Sequence, residues 1–309
     1  YGRNFDRMVE TMYPYSHPYS WSTIGSMADL NAATLDDIKD WYASWYGPNN
    51  AVLALAGDIS VEEAKRLVGK YFGGIAPGQP IAKLKAWVPT LDADIREHME
   101  DRVPQTRILR AWHIPQAGTR ELHALELYAG LLAGSDSSPL DKRLVFSQQL
   151  ATSVAAFAWG QELSGLLIVQ ADVKPGVDPA TVEREIDAVI AETLAKPLGS
   201  AELERARTRY LADFARGIER LGGFGGRADI LAEHLTQFDC ADAYLDRLKD
   251  LNAIDAGEVQ RVATQWLGRH HYTLTVAPFA NLKAAKNDLD RTHLPALGTP
   301  PDVRFPDVQ

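Results

Sequence analysis

Apolar residues recur at three-to-four spacing in two stretches of the chain that are versions of one another. Ile38, Trp41, Tyr42 and Trp45 make the first stripe, and Val259, Val262, Ala263 and Trp266 make the second. That spacing gathers each set on one face of a helix. Sliding the chain by 221 positions lays Ile38 on Val259, Trp45 on Trp266, Gly47 on Gly268 and Leu53 on Leu274 without a gap. Thr34 with Asp37, and Asp255 with Glu258, offer a reciprocal cap at the same offset, which marks where each helix starts. Gly47 and Gly268 fall where a left-handed residue would end it, and AVLALA and YTLTVA follow as strand-formers. Each copy therefore predicts a capped helix running into a buried strand, and the pair reads as an internal duplication.

Between and around the copies the pattern predicts further elements. MYPYSHPYSWSTIG, within residues 1 to about 31, is aromatic-rich, and its prolines favour extended or turn geometry. Val61–Phe72 has an amphipathic helical stripe, and the glycines and prolines from Gly73 to Pro80 mark a boundary. Residues 81–103 read as a polar connector with little periodicity. Strands are expected in TRILRAWHI, SVAAFAW, LLIVQADV and YTLTVA, with helices over Arg120–Ala133, a shorter one through Gln149, and others at about 180–195, 200–218, to Gln237, 242–249 and 255–267. Four strands separated by helices, the middle two joined by a short turn, imply an α+β fold in which an antiparallel sheet carries helices on one face.

The repeat also divides the chain. Residues 104–279 form a complete second unit, 1–80 correspond to the C-terminal part of a first unit, and the proline-rich 280–309 resemble a linker. On this reading the first unit is truncated, with about 110 to 120 residues expected upstream of Tyr1.

Composition narrows the classes. Hydrophobic content of 46% and charged content of 24% fit a globular protein. A net charge of -9 without a basic patch disfavours nucleic acid. The single Cys240 excludes an intrachain disulfide and a thiolate cluster, and no apolar run approaches the roughly 20 residues of a membrane span.

Candidate chemistry is sparse. LGGFGGR lacks the spacing of a phosphate loop, no GxSxG occurs, and His270 and His271 are adjacent and so are expected to point to opposite faces of a strand. His17 is either a ligand or base, or a loop histidine packed among tyrosines. HALEL, His123 to Leu127, approaches the HxxEH arrangement that holds zinc on one helical face, but Leu127 stands where the second imidazole belongs. A histidine beside an acid on a helix surface is the favoured explanation.

The order HPYSWSTIGSMADL, then WYGPNNAVLALAGDIS, then KYFGGI resembles the pitrilysin or insulinase-like family of zinc peptidases, and LLAGSDSSPLDKRLV, ELERARTRYL and GGFGGRADIL extend the resemblance through the second unit. The resemblance implies a metalloendopeptidase with two duplicated units per half, the halves closing around peptide or unfolded protein. It implies zinc in the full-length parent, bound by HxxEH and a later glutamate on a first unit whose ligands are absent from this chain. No catalytic or metal residue is therefore assigned here. An arginine and a tyrosine seven positions later face the opposing half's zinc in such proteins; Arg227 matches the arginine, and His234 stands at the tyrosine position. These two are the expected substrate-binding residues. Expected partners are the peptide, the missing N-terminal region and a second peptidase-like half, with the bacterial periplasm as the setting. The alternatives are a non-catalytic homologue acting as a structural or partner subunit, and a peptide-binding module.

Overall fold

The computed structural model describes residues 1–280, so the proline-rich stretch read as a linker lies almost wholly outside the described residues. In chain order the elements are α1 (Gly2–Met12), α2 (Met27–Ala32), α3 (Leu35–Trp45), α4 (Val61–Phe72), β1 (Ile95–Asp101), β2 (Arg107–Ile114) and α5 (Arg120–Leu132). A wide helical turn at Asp141–Ser147 leads to β3 (Ala151–Gly160) and β4 (Gly165–Val173). Then come α6 (Pro179–Ala195), α7 (Ser200–Ile218), α8 (Arg227–Phe238), α9 (Tyr244–Ala253), α10 (Ala256–Leu267) and β5 (Tyr272–Pro278).

The five strands form one sheet in the order β1-β5-β2-β4-β3, antiparallel except for β1 beside β5. The fold is α+β, as the alternation of strands and helices implies. Side chains alternate across each strand and so sort into two cores. Ile108, Trp112, Leu167, Val169 and Ala171 face the layer of α5, α6, α7, α9 and α10. Leu109, Ala111, Leu166, Ile168 and Leu274 face the other way, against Met8, Val9, Met12 and Tyr13 at α1. Helical cover on one face alone was the expectation; α1 on the second face corrects it. Its apolar residues Met8, Val9 and Met12 have helical spacing that the neighbouring prolines mask in the sequence.

The two repeat copies differ in what surrounds them. α3 and α10 stand at corresponding positions; Asp37 N–H donates to Thr34 Oγ1 at 3.2 Å with the expected return bond from Thr34 N–H to the Asp37 carboxylate, whereas at α10 only Glu258 N–H donates to Asp255 Oδ1, at 2.8 Å. Val259, Val262, Ala263 and Trp266 are buried, whereas Ile38, Trp41, Tyr42 and Trp45 are exposed. AVLALA, expected as a strand, pairs with none of the described strands, since a strand requires a neighbour to satisfy its backbone groups. Nor do the helix-ending glycines adopt left-handed geometry, Gly47 having φ of -75° and Gly268 of -73°. Gly47 answers to space instead, because a Cβ there would lie 2.5 Å from the Gly78 backbone nitrogen.

The stretch read as an aperiodic connector contains β1. Its inward positions are Ile95, Glu97 and Met99, and the acid among them hides the alternation. Glu97 is accommodated because it accepts from Arg7 Nε at 2.9 Å and from Tyr272 Oη at 2.7 Å.

Candidate functional site

The helix that carries HALEL is α5. Thr119 caps it by accepting from Leu122 N–H, and Leu122, Ala124, Leu125, Leu127 and Tyr128 fix it against the sheet. His123 and Glu126 are thereby turned toward α9 and α8, into a cleft of about 450 Å³ whose far wall includes Trp159 at the end of β3. Gly118 shapes the rim: its φ is +78°, and a Cβ would meet the Phe238 ring at 2.7 Å.

Inside the cleft the charges are paired. Arg247 forks onto Glu126, with Nε 3.2 Å from Oε2, and lies 5.0 Å from the Tyr210 ring centroid. Burial pushes the Glu126 carboxyl up, and the Arg247 guanidinium opposes that shift. His123 Nδ1 lies 2.9 Å from Asp250 Oδ2, and Arg120 joins Asp250 to Glu258. The Glu258 carboxylate, expected to reach back to the helix cap, is engaged by this arginine instead.

This arrangement does not fit zinc. The second imidazole is replaced by Leu127, which is a core residue, the acid is held by a guanidinium, and among the described residues no three His, Cys, Asp or Glu are arranged to hold a metal ion. Restoring the string by Leu127→His is therefore expected to leave zinc below stoichiometric in metal analysis of this chain, while burying an imidazole in the core at a cost of about 2 kcal/mol.

Arg227 and His234, seven positions apart, both lie on α8. Arg227 is exposed at the start of the helix, with Nε donating to Ile218 O at 2.7 Å. His234 is buried, lines the cleft, and donates from Nδ1 to Ile230 O at 2.8 Å. Phe238 and Tyr244 hold its ring at 5.6 and 6.0 Å. Arg247 and Asp250 were not legible as cleft residues, since only folding brings them to α5.

His17, His270 and His271 are structural or paired. His17 is fully buried, with Nε2 3.0 Å from Trp87 O and tyrosine rings on two sides. His270 and His271, expected on opposite faces of a strand, precede β5 and converge on Asp94, at 3.1 and 3.3 Å. None of the described helices is long and apolar enough to cross a membrane.

Residues 32–210 match the family described as the peptidase M16 inactive domain. The zinc protease PqqE of Helicobacter pylori is 26% identical over 272 residues, covering 86% of this chain and 59% of that protein. An uncharacterized zinc protease of Mycobacterium leprae is 23% identical, with 88% and 61% covered. The chain thus spans about three fifths of the length of these relatives. The crystal structure of a protease from Helicobacter pylori superposes with a TM-score of 0.80 at 24% identity, over 90% of this chain and 67% of that one.

Proposed function

The chain belongs to the M16 peptidase family through its inactive domain, and from this membership we propose that it is the non-zinc-binding portion of a zinc metalloendopeptidase that degrades or processes peptides. The helix-covered sheet serves as a wall of the substrate chamber. Arg227 and His234 contact the peptide.

The observation that carries this reading is the condition of α5. A histidine and an acid keep the spacing of a zinc helix, yet the remaining ligand position is a core leucine and the acid faces Arg247. That is what the silent copy of a duplicated catalytic unit requires: the shape kept and the metal chemistry removed. No hydrolytic step is routed through these residues, and in this proposal cleavage belongs to a zinc-holding unit elsewhere in the parent protein. The exposed stripe of α3 supports the same division. Its counterpart on α10 packs against α5 and β2, so Ile38, Trp41 and Trp45 call for an α5-like helix from the zinc-holding unit.

At the chamber wall Arg227 supplies a charged donor for a developing oxyanion. The test is Arg227→Ala and His234→Phe in the complete parent, assayed for peptide cleavage. Arg227→Ala is expected to lower kcat/KM about 10²-fold and His234→Phe about tenfold, with zinc content unchanged. Unaltered kcat/KM in both variants would remove the substrate-contact roles. A parent without metal-dependent cleavage would remove the peptidase reading and leave a structural subunit.

A further inference from the structure

Four of the eight residues between α7 and α8 are glycines, Gly222, Gly223, Gly225 and Gly226, and a stretch of that composition holds one shape only where bonds pin it. Here several do. Arg220 Nη2 donates to Phe224 O at 2.7 Å, Gly226 N–H donates to Gly223 O at 2.9 Å, and Arg227 N–H donates back to Arg220 O at 2.9 Å. Gly225, at φ of +71°, directs its N–H to Asp229, whose Oδ2 accepts it at 2.7 Å. That is the one hydrogen bond of the Asp229 carboxylate among the described residues. Asp229 is the third residue of α8, the position from which an acid reaches back to the N–H of the helix cap. The cap is Gly226, whose N–H is already given to Gly223 O, so the carboxylate takes the N–H one residue further back.

The pinned turn decides where Arg227 stands. Ile218 O is among the last carbonyls of α7, which a helix leaves without a donor of its own, and Arg227 Nε–H meets it across the turn at 2.7 Å. The guanidinium is thus fixed at Nε, while Nη1 and Nη2 make no hydrogen bond among the described residues and Arg227 remains exposed. One edge of the fork is offered outward. A surface arginine without such a tether spreads over many rotamers; this one is held on one side and free on the other.

We infer that Asp229 is a positioning residue for Arg227: through Gly225 it fixes the turn, the turn fixes the approach of α8 to Ile218 O, and that approach holds the Nη edge outward. The inference rests on the reading above, in which Arg227 meets the developing oxyanion of the peptide, and adds what makes that contact effective. A donor already in place has nothing to reorganise when negative charge develops, so the tether acts on turnover more than on binding. Asp229 acts only through the backbone of Gly225.

Two measurements test it. In the chain itself, hydrogen exchange of the Gly225 amide and of Arg227 Nε–H is followed by NMR in the wild type, Asp229→Ala and Asp229→Asn. Asparagine loses the charge but keeps an oxygen for Gly225 N–H, so both hydrogens are expected to stay protected in it and to exchange about tenfold or more faster in Asp229→Ala. Equal protection of Arg227 Nε–H in all three would overturn the positioning role. In the complete parent, Asp229→Ala is expected to lower kcat for peptide cleavage about tenfold at constant KM, Asp229→Asn to keep most of the rate, and Asp229→Ala to cost nothing further once Arg227→Ala is present. A loss of the same size in the Arg227→Ala background would show that Asp229 acts on the fold, overturning the inference while sparing the role of Arg227. Cleavage unaltered by Arg227→Ala would overturn both.

Discussion

Glu126→Ala is expected to lower the folding free energy by about 2–3 kcal/mol, less than the roughly 3–5 kcal/mol for a fully buried ion pair because the Arg247 side chain is 34% exposed. The Glu126 side chain is 12% exposed, and its carboxylate takes two donors from Arg247. Without it the guanidinium stays in the cleft beside Tyr210 with no carboxylate in fork geometry, and the one further acid acting on it, Glu233, forms no ion pair with it. Desolvation already incurred by Arg247 is then uncompensated. Removing both charges, as in Glu126→Leu with Arg247→Met, is expected to recover most of the loss, because an apolar pair of similar volume needs no compensation. Denaturant unfolding of the wild type, the single variant and the double variant gives the comparison. A single-variant loss below about 1 kcal/mol would mean that solvent in the cleft screens the pair.

The same pair explains how α5 keeps its place with an acid facing the cleft and no metal. A carboxylate on α5 turned toward α9 needs a counter-charge whatever its history, and a guanidinium on the facing helix meets that need without requiring the remaining ligands. Leu127, at the position the second imidazole of HxxEH would hold, joins Leu125 and Tyr128 in the core. The geometry of the helix survives on packing, and its surface chemistry is rebuilt by ion pairs to Arg247, Asp250 and Arg120.

Local signals were legible in the sequence and distant ones were not. The caps at Thr34 and Asp255 and the span Val61–Phe72 appear where their residues place them, because caps and helical stripes depend on neighbours a few positions away. β1 escaped notice because Glu97 occupies an inward position that only Arg7 and Tyr272 make tolerable. AVLALA misled in the opposite direction, having strand composition but no paired neighbour among the described strands. HALEL named half of the cleft. Its other half, Arg247 and Asp250, lies more than a hundred positions away, and no periodicity links such residues before the chain folds.

Acidification is expected to destabilise the fold through His113, by about 3 kcal/mol between neutral pH and pH ~4. The residue ends β2 on the face covered by α1, where Nε2–H donates to Met12 O at 2.9 Å and Nδ1 is buried without a partner. The Tyr13 ring lies 4.9 Å away, His17 is close enough to disfavour a second positive charge, and Arg269 and His270 of the turn before β5 line the adjoining cavity. No carboxylate forms a salt bridge with His113 among the described residues. Burial pushes its pKa down from 6.5 to about 4, a shift that the Met12 carbonyl opposes and His17 reinforces. The sign follows from proton uptake. Below the unfolded value the unfolded chain binds a proton that the folded one refuses, so stability declines as pH falls through that window and the loss is complete near the folded value. His17, lowered by burial as well, acts in the same direction. Unfolding curves across this range for the wild type and for His113→Gln, whose amide can still donate to Met12 O, separate this histidine from the carboxylates common to both. The wild type should lose about 3 kcal/mol more than the variant, and parallel curves would show that the folded protein admits the proton, with α1 yielding to let water reach Nδ1.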